Sequence, residues 1–169
     1  MKATAAEIIE RLSLAPLPVE GGWFRETWRS QDVVPRAALP PRYPGDRAAA
    51  TAILYLIAAG TPSLLHRLAS PELYCYHDGD PVEMLQLHAD GGGEVVRFGR
   101  DHGAGERVQA LVPAGSWQGS RVVAGEGWAL FSVVVAPGFD PADYEHGARE
   151  ALLERWPAHS ALVRALTAE

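Results

Sequence analysis

Between Ala49 and Ala136 short apolar runs alternate with glycine, proline, aspartate and serine, and no stretch among them reads as a helix of crossover length. That pattern constrains the fold more than any other feature of the chain. The runs are AATAILYLIA (49–58), SLLHRLA (63–69), ELYCYHD (72–78), VEMLQLHA (82–89), EVVRFG (94–99), RVQALVP (107–113), SWQGSRVV (116–123) and GWALFSVVVA (127–136). They are rich in β-branched and aromatic residues, and the turn formers fall between them. Asp90 followed by Gly91, Gly92 and Gly93 is a hairpin signal. Parallel strands need long, usually helical connections, so the spacing predicts an antiparallel sandwich or barrel.

The flanks read differently. Residues 3–12 predict a short amphipathic helix, with Ala6, Ile9 and Leu12 on one side and Glu7, Glu10 and Arg11 between them. The stretch from Leu14 to Pro18 breaks it. Residues 21–30 predict a strand, with Trp23, Arg25 and Thr27 on one face and Phe24, Glu26 and Trp28 on the other. Residues 31–46 hold four prolines and no clean period, which predicts a long loop, of the kind that serves as a lid or arm or stays disordered. After Pro137, Asp140 is placed to cap a short helix that Pro141 opens. Residues 147–155 and 158–167 predict two more helices. The expected organisation is one domain over 1–169, with a β core over about 18–137 and a helical tail over 138–169.

Charge and cysteine content narrow the function classes. The formal net charge is −6, the only lysine is Lys2 and the arginines are scattered. Nucleic acid and anionic membrane surfaces would repel such a chain and are not expected partners. No apolar run approaches the roughly 20 residues of a membrane helix. Charges interrupt the first apolar stretch, so a secretory signal is not expected and a cytoplasmic location is the default. The one cysteine, Cys75, excludes an internal disulfide framework and a multi-cysteine zinc site.

Two motifs carry the chemistry. Gly60, His66, Leu68, Glu72 and Gly79 are spaced like the first motif of the cupin superfamily, and Pro113-Ala114-Gly115-Ser116-Trp117-Gln118 resembles its second. In many cupins these positions supply three histidines and a glutamate to a metal. Leu68 and Gln118 stand here where two of those histidines would fall. The stretches GGWFRETWRS (21–30), TAILYLI (51–57), HRLASPELYCYHDGDPVEMLQLH (66–88), VPAGSWQGS (112–120) and VAPGFDPADYE (135–145) further resemble the DUF985 family, also called cupin 5. The similarity spans roughly residues 8–150. It implies an all-β cupin jelly roll, the double-stranded β-helix, flanked by short terminal helices. It also implies a fold like that of sugar-nucleotide epimerases, and a homodimer. Leu65 replaces a tryptophan usual in that family, and Tyr74-Cys75-Tyr76 replaces a Trp-His-Phe stretch.

His66 and Leu68 lie two apart on one strand and should face the same side, so Leu68 removes a ligand and adds apolar bulk. Gln118 offers only a neutral oxygen, a poor donor for zinc or iron. His66, Glu72 and Gln118 are therefore the candidate set for a divalent metal (Zn, Ni, Fe or Mn), and the first expectation is that no cofactor is required. Without a metal, Glu72 beside His66 makes an acid–base pair, with Tyr74, Tyr55 or Tyr76 as the acid. The resemblance to the fold-related epimerases, in which a histidine acts with a tyrosine as acid, implies proton abstraction beside a carbonyl, as in a sugar isomerase or epimerase. The alternatives are a metal-dependent cupin with a depleted ligand set, and a non-catalytic module for a carbohydrate-like or nucleotide-like ligand. His66 could also be a buried histidine satisfied by Glu72. Arg25 is a candidate anchor for an anionic group at the barrel mouth, or the partner of Glu26 in a structural ion pair. Trp117 and Gln118 are candidate cavity walls, whereas Trp23, Trp28 and Trp128 read as core. His77 has the wrong strand parity for the site. His88, His102, His146 and His159 read as turn or helix-surface residues.

Overall fold

The computed structural model describes residues 3–123 and 127–168. In chain order its first strands are β1 (Ala15–Pro16), β2 (Trp23–Arg29), β3 (Val33–Val34), β4 (Arg47–Ala48) and β5 (Thr51–Ala58). They are followed by β6 (Ser63–Leu68), β7 (Glu72–Gly79), β8 (Val82–Leu87) and β9 (Gly93–Phe98). The last are β10 (Gln109–Val112), β11 (Trp117–Val122), β12 (Trp128–Val135) and β13 (Tyr144–His146). Helix α1 (Ala5–Leu12) precedes them, and α2 (Arg149–Arg155) and α3 (Ser160–Ala165) follow.

Two antiparallel sheets face each other, one ordered β1-β2-β5-β12-β7-β10 and the other β13-β6-β11-β8-β9. Neighbours within each sheet are mostly distant in sequence, as a jelly roll requires. Side-chain alternation sorts the apolar residues into layers. Between the sheets, Ile57, Tyr76 and Phe131 meet Met84, Val96 and Phe98. Outside the larger sheet, Leu54, Leu56 and Trp128 pack under Ile8, Ile9 and Leu12 of α1. Outside the smaller sheet, Leu65, Leu85 and Trp117 pack under Leu152 of α2, Val163 of α3 and Trp156 between the two helices. Strands covered on both faces can be apolar at every position, which is why several runs show no alternation.

Helix α1 begins on a reciprocal cap: Thr4 Oγ1 accepts from the Glu7 amide, and Glu7 accepts from the Thr4 amide at 2.8 Å. It stops at Ser13, which takes the left-handed conformation. Asp140 caps the turn Pro141–Asp143 as the sequence predicts. Among the described residues no helix is long and apolar enough to cross a membrane.

Three expectations need correction. Residues 31–46 are neither a free arm nor a lid: β3 pairs with β4, and Tyr43 is fully buried with its hydroxyl 3.0 Å from Ser70 Oγ. Arg47, next along the chain, forms a buried two-pronged ion pair with Asp143 at 2.5 and 2.7 Å. Strand β2 carries a bulge, its register against β5 shifting between Glu26 and Trp28. The alternation therefore fails there, and Trp28 is 53% exposed instead of core. Finally, His146 is not on a turn or a helix surface but on β13, directly opposite His66 on β6.

Candidate active site

Alternation aims the site. On β6, His66 and Leu68 point between the sheets; on β7, Glu72 and Tyr74 do the same from the opposite side. Gln118 sits directly across from His66 on β11. His66, Glu72, Tyr74 and Gln118 are all buried. The amide nitrogen of Gln118 lies 2.8 Å from His66 Nε2, 2.8 Å from the Tyr74 hydroxyl and 3.3 Å from Glu72 Oε1. Glu72 therefore does not hold a ring nitrogen of His66, as the sequence suggested. The Leu64 carbonyl takes Nδ1 at 2.8 Å, and Gln118 faces Nε2.

The Leu64 contact fixes the tautomer. A carbonyl only accepts, so Nδ1 carries the hydrogen. With the amide in this orientation, Nε2 accepts from Gln118. Protonation at Nε2 would require the amide to turn its oxygen inward. That oxygen, Gln118 Oε1, is buried and has no partner among the described residues.

A second carboxylate, absent from the sequence reading, joins the group. Glu20 Oε2 is 3.6 Å from His66 Nε2, and Ser63 Oγ donates to Glu20 Oε1 at 3.2 Å. Glu20 is delivered by a tight loop in which Val19, Gly21 and Gly22 all have positive φ (69°, 97° and 75°). A Cβ on Gly21 would lie 2.3 Å from the Pro62 carbonyl oxygen, and one on Gly22 2.7 Å from that of Leu56. A β-branched residue in that conformation, as at Val19, stores strain of about 1–3 kcal/mol. The signal in the sequence was the pair of glycines directly after a glutamate, which marks close backbone approach as well as a strand start.

These groups form the closed end of a cavity of about 370 Å³. Glu20, Tyr55, His66, Glu72 and Tyr74 line that end, and Phe24, Ile53, Leu68, Val133 and Val135 line the walls. Toward solvent stand Glu26 and Arg29, paired at 2.8 Å. Tyr144 on β13 stacks on His66 with ring centres 5.3 Å apart. Tyr55 donates to the Gly21 carbonyl at 2.9 Å and so ties the Glu20 loop to the site.

Three candidates lie elsewhere. Arg25 is exposed and sits opposite Leu54, on the outward-facing parity of β5. The β2 bulge gives its expected place to Arg29, and Glu26 pairs with Arg29 rather than Arg25. Tyr76 packs edge-on against Phe131 within the core and does not line the cavity. Trp117 faces outward beneath α2 and α3, with the Arg67 guanidinium 4.6 Å from its ring centre.

The electrostatics follow from burial and charge. Burial raises the Glu72 carboxyl; His66 lowers it, Glu20 raises it and Gln118 lowers it, leaving it at about 7. Burial disfavours the His66 imidazolium, but the Glu20 and Glu72 charges and the Leu64 carbonyl outweigh it and raise the pKa. Tyr55 and Tyr74 are pushed well up, first by burial and then by the carboxylates, so both phenols stay neutral donors. The donor set does not suit a transition metal. The one ring nitrogen of His66 that faces the cluster, Nε2, meets an amide N–H. Among the described residues no three His, Cys, Asp or Glu side chains are placed to hold an ion.

Two antiparallel sheets enclosing a polar cluster between their inner faces define a cupin jelly roll. Residues 6–147 match the family described as cupin superfamily (DUF985), and the chain belongs to that family. A hypothetical protein from Leishmania major is similar over 99% of this chain and 100% of its own, at 34% identity and a TM-score of 0.86. A Shewanella oneidensis protein is similar over 99% of each chain, at 33% identity and a TM-score of 0.85. A cupin 2 domain-containing protein from Halorhodospira halophila (13% identity, TM-score 0.56, 89% of this chain and 86% of its own) shares the fold alone. No curated protein matches the chain.

Proposed function

We propose that the protein moves a proton on a small carbonyl compound held between its sheets, as a sugar-type isomerase or epimerase does, with His66 as the base. The observation that carries this reading is the fixed imidazole. Leu64 commits Nδ1 as a donor, so Nε2 is the ring nitrogen left to act as the base, among Glu20, Glu72 and Tyr74 at the closed end of the cavity. A carbon acid beside a carbonyl would lose its proton to Nε2. The Tyr74 O–H, neutral and already accepting from Gln118, would donate to the developing enolate oxygen. Glu20 and Glu72 would stabilise the imidazolium, and the Gln118 amide would turn its oxygen toward it. Return of the proton from Nε2 to the adjacent carbon on the same face, with Tyr74 taking up the hydroxyl proton of the first carbon, completes the isomerisation without a cofactor.

The experiment is hydrogen exchange in D₂O across a panel of aldoses, ketoses and their amino derivatives, read by NMR. Exchange beside the carbonyl of one member, lost in His66→Gln, is expected. No exchange in any member, or exchange indifferent to His66→Gln, would overturn the reading. One observation favours a second reading, a binding module without turnover: the Gln118 amide occupies the lone pair that a base needs free.

The assembly we propose is a homodimer. Beyond β2, strand β1 covers only Trp23 and Phe24, so the edge from Arg25 to Arg29 is open among the described residues, beside the exposed Trp28. Light scattering giving a monomer mass would rule it out.

A further inference from the structure

The cavity selects by charge. Three carboxylates, Glu20, Glu26 and Glu72, line it against one guanidinium and one imidazole. The guanidinium is already spent. Arg29 donates to both Glu26 oxygens at 3.0 and 2.8 Å and to the Phe139 carbonyl at 3.1 Å, and it stands at the solvent side. Arg47, buried nearby, is locked on Asp143 and does not line the cavity. A phosphate or carboxylate entering this space meets no uncommitted guanidinium, and the one group there able to turn cationic, His66, already faces the carboxyl groups of Glu20 and Glu72.

We infer that the ligand is an apolar-bodied organic ammonium compound whose cationic nitrogen enters first and lies against Glu20 and Glu72. The inference rests on the cavity being the ligand site and names the class of compound it takes. Acceptors converge there. Glu20 spends one oxygen on Ser63, and Glu72 receives only a long contact from Gln118. Tyr55 donates its hydrogen to Gly21, which leaves its oxygen able to accept. An ammonium offers three donors and cancels the repulsion between two carboxylates in a poorly solvated space. Behind that end, Phe24, Ile53, Leu68, Val133 and Val135 suit a hydrocarbon or aromatic body. The bound cation would also oppose protonation of His66 and so keep its imidazole a base. An amino-bearing carbonyl compound, rather than a nucleotide sugar, is then the substrate class for the proposed isomerisation.

The test uses the full-length protein and three unreactive probes of similar shape, 2-phenylethylammonium, 2-phenylethanol and 3-phenylpropanoate, titrated by calorimetry and ligand-observed NMR. The ammonium should bind at least about tenfold more tightly than the alcohol, and the carboxylate most weakly. Glu20→Gln should remove that tenfold preference and leave the alcohol where it was. Carboxylate binding as tight as the ammonium, no binding of any probe at millimolar concentration, or an undiminished preference in Glu20→Gln would each overturn the inference. If Glu20→Gln does not fold, the ranking on the unaltered protein decides alone. Because the probes undergo no chemistry, a failed exchange assay leaves this result standing. A preference for the carboxylate likewise leaves the His66 exchange assay intact.

Discussion

Gln118 and His66 face each other across adjacent antiparallel strands, with the amide nitrogen 2.8 Å from Nε2. The same nitrogen serves Tyr74 and Glu72, although an amide has only two hydrogens to give. The amide is therefore shared among three groups from both sheets, and its removal strands them all. Gln118→Leu should destabilise the protein by about 1–3 kcal/mol, the cost of unpaired buried polar groups. Urea denaturation checks it: a loss below about 0.5 kcal/mol would mean that the amide holds nothing together.

Stability should fall as pH rises through the range where Glu72 titrates. Its folded pKa, about 7, lies above the ordinary value of 4.5. Between those values the folded state holds a proton that the unfolded chain has released, so stability declines with pH. His66, also raised, adds a loss of the same sign above about pH 6.5. Glu72→Gln keeps an acceptor for Gln118 and removes the charge. It should gain up to about 3 kcal/mol on the parent at pH 8 relative to the difference at pH 4. Parallel stability–pH curves for the two proteins would contradict this.

The fold was legible because both sheets are built from runs whose length and punctuation exclude helices. The inward aim of His66, Glu72 and Gln118 was legible too, since it needs only strand parity and two motifs. Parity failed at β2, where the bulge between Glu26 and Trp28 hands the cavity rim to Arg29 and leaves Arg25 outside. A single-residue bulge leaves no compositional trace. Glu20 was hidden for another reason: it reaches His66 through a loop whose shape depends on Gly21 and Gly22 meeting Pro62 and Leu56, contacts distant in sequence. Tyr43 does lie in a loop, as the prolines around it suggest, but they mask how deeply its ring is anchored.

That anchor leads to the buried ion pair beside it. Arg47 and Asp143 are 4% and 2% exposed, and the Arg47 guanidinium also lies 5.6 Å from the Tyr43 ring centre. Together they fasten residues 31–46 to the segment carrying Pro141 and Tyr144, both on the cavity wall. Removing one charge leaves the other buried. Asp143→Ala should cost about 3 kcal/mol, and Arg47→Met with Asp143→Leu should recover part of it. Chemical denaturation of the single and double variants tests this; equal losses in both would show that packing, not the charge pair, sets the cost.

Leu68 is where the metal question can be put to experiment. It shares the cavity face of β6 with His66, two residues away, and Glu72 and Glu20 line the same space. An imidazole at that position would supply the second strong nitrogen the donor set lacks, giving two histidines and a carboxylate, the ligand pattern of open zinc sites. The His66 side needs only rotation of the Gln118 amide to free Nε2, a movement the unpaired Oε1 makes inexpensive. Leu68→His should therefore raise affinity for Zn²⁺ or Co²⁺ at least about tenfold over the parent. Calorimetry gives the affinity, and the visible absorption of bound Co²⁺ gives the coordination. If the variant binds no more tightly than the parent, the obstacle is the hold of Gln118 on His66 Nε2 rather than the missing ligand. Leu68→His combined with Gln118→Ala should then bind where the single variant does not.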